Sequence, residues 1–139
     1  MQDIWDNMKQ TILPSWIQPA PPNWGTAERG KLSADQWRVI CTIHLPITLI
    51  RLWNDNSERK KAMLEHFMHL VATVCIANIR ISSPDQIRAY NQHIFAYTRN
   101  WLKLFPGQPL KPTLHAALHI GDMLERFGPV HVVSSPFYE

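Results

Sequence analysis

Only two of the 139 residues are cysteine, only five are glycine, and only 18% are charged. Each shortage excludes something. The two thiols, Cys41 and Cys75, stand in apolar stretches that read as helix interiors, where a free cysteine packs as a small hydrophobe. They form no cysteine-pair zinc pattern, and the scattered glycines build no loop that would cradle a phosphate. A long hydrophobic run is also missing. The longest uncharged stretch, residues 39–50, is too short to span a bilayer and contains His44 and Pro46, so it predicts a core helix and no membrane partner. Low charge combined with six tryptophans excludes a disordered chain, which needs the reverse of both. The start carries Asp3 and Asp6 where a secretory signal would be basic, which predicts an intracellular protein. A formal charge of +3 favours an anionic partner only mildly, because Arg59, Lys60 and Lys61 are the one basic run.

The remaining 45% of hydrophobic residues suffices for one core and one domain. The pattern predicts a mainly α fold, a small helical bundle of about four to five helices with a proline-rich extended N-terminal segment. A short helix is expected over 1–12. Residues 13–32 hold Pro14, Pro19, Pro21, Pro22, Gly25 and Gly30, which predicts an extended segment held down by Trp16 and Trp24. The helical domain should occupy 33–130, and 131–139 should form a tail.

Helix starts are marked by capping boxes, in which a serine or aspartate side chain and a residue three positions later bond each other's backbone. Ser33 with Gln36 opens a helix to about Trp53, with a kink near Ile43 to Leu45 caused by Pro46. Asp55 with Glu58 opens the next, to about Arg80, with Leu64, Phe67, Val71 and Val74 at helical steps. Ser83 with Gln86, and Pro84 at the first helical position, opens a third that ends at Pro106-Gly107. Its Ile87, Tyr90, Ile94, Tyr97, Trp101 and Leu104 form one stripe. Asn91, Phe95, Thr98, Leu102 and Phe105 form a second, so burial over a wide face is expected. The last helix should run from Pro112 to the glycine cap at Gly128-Pro129, and Val130 to Val133 has the composition of a short strand.

Few residues suit chemistry. His115 and His119 stand four apart, the spacing at which two imidazoles share a metal, but Ala116 occupies the place of a metalloprotease's general base. With only Cys41, Cys75 or His131 to supply a third ligand, the pair predicts no stoichiometric zinc, and the expected metal and cofactor sets are empty. Asp122 extends that row by one turn, making His115, His119 and Asp122 a polar face expected to meet a polar neighbour. Tyr97, Arg99 and Trp101 mix aromatics with a cation as base-stacking surfaces do, but helical spacing assigns the rings to the core. Ser134-Ser135 beside His131 has the residue types of acyl transfer without any sign of its geometry.

Two longer runs carry a resemblance. The first is Gly30-Lys31-Leu32-Ser33-Ala34-Asp35-Gln36-Trp37-Arg38 followed by Leu45-Pro46-Ile47-Thr48-Leu49-Ile50-Arg51-Leu52-Trp53. The second is Lys111-Pro112-Thr113-Leu114-His115-Ala116-Ala117-Leu118-His119-Ile120 followed by Phe127-Gly128-Pro129-Val130. In order and spacing, from about Trp16 onward, they resemble the helical part of transposases of CACTA-type DNA transposons, most of all fungal copies. That resemblance implies a ribonuclease-H-like enzyme in which two aspartates and a glutamate hold divalent ions, with a helical insertion before the glutamate. Two such ions activate water and stabilise the leaving oxygen.

The family's third carboxylate matches Glu139 in Phe137-Tyr138-Glu139, as a vestige, because the arginine that follows in the family motif and both upstream aspartates are missing here. Asp3 and Asp6 lie in the wrong context to replace them. The resemblance therefore implies a truncated or decayed transposase fragment, the helical insertion region, with no catalysis of its own and Mg2+ only in the intact family enzyme. Such a fragment would be nuclear if functional. Three other readings follow: a helical module that binds DNA or a related transposase, a metal-dependent nuclease using Glu139 and the histidines, and a gene remnant with no function. The expected partners are DNA, bound weakly and non-specifically through Arg59, Lys60 and Lys61, and further copies of the chain.

Overall fold

The structure, a computed structural model, describes residues 2–54 and 57–129, apart from the Arg29 side chain. The fold is mainly helical, with no strand among the described residues. Val130, His131, Val132, Val133, Ser134, Ser135 and Glu139 lie outside the described residues, as do Asp55 and Asn56. Five helical segments were expected and each is present, but two are interrupted, which gives seven α-helices among the described residues. The chain gathers into two compact units, Met1–Lys61 and Ala62–Glu139.

In the first unit, α1 (Gln2–Gln10) carries Asp3 in its first turn and Lys9 in its last, matching the positive and negative ends of the helix dipole. The core of this unit is Ala20, Trp24 and Ile40, with Ile4, Trp5, Met8, Leu32 and Leu45 packed round it. Trp24 pins the proline-rich segment as expected: its Nε1 donates to Met8 Sδ at 3.0 Å, and Trp5 Nε1 donates to the Trp24 carbonyl at 3.3 Å. Trp16 does not share this role, being 82% exposed. The segment is also not extended throughout. A turn closes from Pro14 to Ile17 through a 3.0 Å backbone bond, and a 3-10 helix forms over Ala27–Arg29. Prolines forbid a regular helix but are compatible with tight turns, and the chain uses the turns.

Both halves of the Ser33 capping box are made, at 3.2 Å and 3.0 Å. The helix it opens, α2 (Ala34–Val39), continues through a π-helical stretch, Ile40–His44, into α3 (Leu45–Leu52). At Pro46, where a kink is expected, the helix widens. The Leu45 N–H bonds the Ile40 carbonyl five residues back, and this wider turn takes up a proline that lacks an N–H and crowds the preceding turn. Thr42 Oγ1 returns a bond to the Arg38 carbonyl at 2.8 Å. Along this run Val39, Ile40, His44, Pro46 and Thr48 are buried, while Ile47 and Ile50 face solvent. Arg51 reaches across to donate to Asn7 Oδ1, tying α3 to α1.

The next helix, α4 (Glu58–Ala77), follows the expected Asp55 cap, which lies outside the described residues; the Ser57 carbonyl accepts from Lys61 N–H at 3.1 Å. It stops before Arg80, because Asn78 turns back on Val74 with both its backbone N–H and its side chain. In α5 (Pro84–Leu104) the Ser83 box is complete, at 3.3 Å and 2.9 Å, with Pro84 first. Tyr90 and Ile94, the centre of the expected stripe, join Leu124 as the core of the second unit. Each such fully buried side chain contributes about 1.5–3 kcal/mol. The second stripe is not buried across its width, since Phe95 and Leu102 are both 54% exposed. Cys75, expected inside, is exposed as well, and Cys41 is half-buried.

The expected last helix is two, α6 (Pro112–Leu118) and α7 (Ile120–Phe127), which part at His119. Two contacts from α5 meet this region. Tyr90 Oη donates to the Ala117 carbonyl at 2.9 Å. Gly121 meets Asn91 so closely that no side chain fits between them. At the far end Gly128 takes φ 79°, a backbone setting that favours glycine, and closes α7 as expected.

Candidate functional site

His115 and His119 do lie together. Their rings are edge-on with centroids 5.1 Å apart, and His119 Nδ1 is 4.0 Å from Asp122 Oδ2. The polar row spans the α6–α7 break, and all three side chains are exposed. Glu139, the remaining candidate, is outside the described residues. Among the described residues no group of three or more histidines, cysteines, aspartates or glutamates is placed to hold a metal ion.

The basic run occupies the first turn of α4, where helix geometry adds positive charge to positive charge. Glu58 offsets part of it: its Oε1 lies 3.0 Å from Lys61 Nζ. Arg59 is exposed and Lys60 half-buried. Elsewhere cations pair with acids three residues away: Lys9 with Asp6 at 3.3 Å, Arg38 with Asp35 at 2.6 Å, and Arg88 with Asp85. Four cations, Lys9, Arg38, Lys61 and Arg88, are thus paired with acids on their own helices.

A histidine cluster between α4 and α5 escaped the sequence reading. His69 Nδ1 and His93 Nδ1 are 2.9 Å apart, so one nitrogen carries the proton and the other accepts it. His66 is buried and stacked on Tyr97, centroids 4.2 Å apart and planes within 10°. Burial, and secondly the neighbouring His69, hold both His66 and His93 below the ordinary histidine value. Glu65 reaches to 3.9 Å of His69 Nε2. The sequence carries a signal for it: His66, His69 and Thr73 recur at three- and four-residue steps, the spacing that also sets His115, His119 and Asp122 in a row. The cluster can exchange and share a proton.

This unit also exposes apolar side chains. On α5, Phe95 and Leu102 stand seven residues apart on one face, and on α7 Met123 and Phe127, 53% and 60% exposed, stand four apart. Tyr97 and Trp101, assigned to the core, line a 340 Å³ groove with Leu70, Val74 and Thr113. Burial pushes the Tyr90 phenol up to about 12, so it remains a donor to Ala117 throughout the physiological range. No helix among the described residues is long and apolar enough to cross a membrane. Comparison with family models, with curated proteins and with solved structures finds nothing that matches.

Proposed function

We propose that this chain is the helical insertion region of a CACTA-type transposase, acting by protein contact and contributing no catalysis of its own. The family assignment rests on the two motif runs, and it is supported by where their residues fall. Ser33 caps α2, Pro112 opens α6, His119 marks the α6–α7 break and Gly128 closes α7. A motif made of helix boundaries is what a fold-specifying region retains, because caps and breaks fix element lengths.

The contact role rests on one observation: apolar side chains are exposed in pairs on α5 and α7. Exposed apolar patches promote association. A net charge of +3 supplies few phosphate contacts, so DNA binding is weak, sequence-tolerant and sharply reduced by salt. Mg2+ belongs to the intact family enzyme, and in a cell the intact protein acts in the nucleus. Titration of labelled duplexes at physiological salt, beside light scattering of the protein alone, tests the reading. Association of the protein with itself, together with salt-sensitive DNA binding, is expected. Tight, salt-resistant binding of one sequence by a monodisperse monomer overturns it in favour of a DNA-reading module.

A further inference from the structure

Between α4 and α5, two histidines form a contact that depends on how many protons they hold. His69 Nδ1 and His93 Nδ1 are 2.9 Å apart and the ring centroids 5.2 Å, which is the nitrogen separation plus the two ring radii, so the rings meet nearly head-on. That is the straight geometry of an N–H···N hydrogen bond. Two imidazoles holding one metal ion would instead converge on it at an angle. The bond needs one proton between the two nitrogens: one ring carries it on Nδ1, and the other accepts with a bare Nδ1.

Around this pair the first half of α4 touches α5 through rings. His66 stacks on Tyr97 and lies beside Trp101 and Phe105, with centroids 6.2 Å and 5.9 Å away. The second half is held differently, by Ile76 and Ala77 packed on the core of Tyr90, Ile94 and Leu124. The closed ring contact carries a cost. His66 Nδ1 and Trp101 Nε1 are buried in it and, among the described residues, have no hydrogen-bond partner. Separation of the helices there would give both to water, recovering their hydration. The ionisable groups facing the pair are His66 and Glu65 on α4, with Glu65 Oε1 3.9 Å from His69 Nε2, and the Tyr97 phenol on α5.

We propose that the His69–His93 bond is a pH-sensitive latch: protonation of both rings releases the first half of α4 from α5 and uncovers Tyr97, Trp101 and Phe105. With the shared proton on His69 Nδ1, an added proton enters at Nε2, towards Glu65, and the bond survives. A further one on His93 Nδ1 removes the acceptor, so that two N–H groups and two positive charges face each other across 2.9 Å. With the shared proton on His93 the order is reversed and the doubly charged pair is the same. Both rings are half-buried, so water delivers the protons. Burial, and then His69, holds His93 below 6.5, so the latch is shut above that pH and opens as the pH falls below it. The device is independent of the transposase reading, since none of its residues belongs to the two motif runs.

The test is an NMR titration of the nitrogen-labelled full chain from about pH 8 to about pH 5, following the imidazole nitrogens of His66, His69 and His93 and the indole N–H of Trp101. At the alkaline end one ring of the pair, and one only, should carry its proton on Nδ1. The Trp101 resonance should shift as the second ring of the pair takes its proton, while the amides of Ile94 and Leu124 stay in place. His93→Gln keeps a bonding group but cannot titrate, so it should hold the Trp101 resonance still over the same range. Three results on the native chain alone overturn the proposal: both rings protonated on Nε2 at the alkaline end, a Trp101 resonance that never shifts, or a Trp101 shift that tracks His66 and not the pair. A folded His93→Gln protein in which Trp101 shifts as in the native chain overturns it as well.

Discussion

Replacing Gly121 with alanine should destabilise the protein, although glycine to alanine within a helix is ordinarily favourable. Gly121 is buried in the first turn of α7. A Cβ added there lies 2.0 Å from Asn91 Oδ1, 2.8 Å from its Cγ and 3.0 Å from its Nδ2. Rotating the amide only exchanges oxygen for nitrogen at the same places, so relief requires Asn91 to change its first side-chain torsion or α5 and α7 to separate. Helix propensity favours the alanine by up to about 1 kcal/mol. Overpacking a filled site costs about 1–3 kcal/mol. The clash wins, and a net loss of roughly 1–2 kcal/mol is expected. Urea denaturation followed by circular dichroism measures it. In an Asn91→Ala background the obstacle is gone and the same change should become neutral or stabilising, so the double-mutant cycle shows a coupling of about 1–3 kcal/mol. A stable Gly121→Ala protein with no coupling to Asn91 would refute the close packing of α7 on α5 at this position.

Three further outcomes are expected. Ser83→Ala should cost about 1 kcal/mol by removing a made capping box, and Ser83→Asp should restore most of it; an unchanged urea midpoint for the alanine variant counts against the cap. His44, His66 and His93 are all held below the ordinary value of 6.5, so the unfolded chain takes up protons that the native chain refuses. Stability should therefore be full above 6.5 and fall as the pH drops through and below it, and a urea midpoint that stays level or rises between about pH 7 and about pH 5 contradicts this. The purified chain should not nick or join DNA with magnesium or manganese, and metal-dependent nicking that vanishes in Glu139→Gln would establish the nuclease reading instead.

What was legible in the sequence was mostly local. The Ser33 and Ser83 boxes, the Pro112 start and the Gly128 stop depend on residues within a turn of each other, and each stands where the pattern placed it. The α5 stripe through Tyr90 and Ile94 was legible because helical periodicity fixes a face. The contacts at the α6–α7 break were not, because they come from another helix: Tyr90 stands 27 positions before Ala117, and Asn91 beside it meets Gly121. The π-helical stretch escaped for a different reason: a proline in a helix announces strain but not whether the chain bends or widens. The same limit applies to the candidate site. Periodicity placed His115, His119 and Asp122 in one row, yet the row that is partly buried and bonded across helices is that of His66 and His69 with His93. Composition was equally silent on which tryptophan is anchored, since Trp24 and Trp16 differ only in what the folded chain brings to them.

The central claim is that the exposed faces of α5 and α7 make this region a protein-contact module. Sedimentation velocity over a concentration series measures it most directly, comparing the native chain with a Phe95→Lys, Phe127→Lys double variant. Both positions are more than half exposed, so the lysines extend into solvent without disturbing the core. The account predicts that the native chain sediments faster as concentration rises and that the double variant, equally helical, sediments as a single chain throughout. A native chain that stays monomeric at every concentration, or a double variant that associates as readily as the native chain, would contradict it.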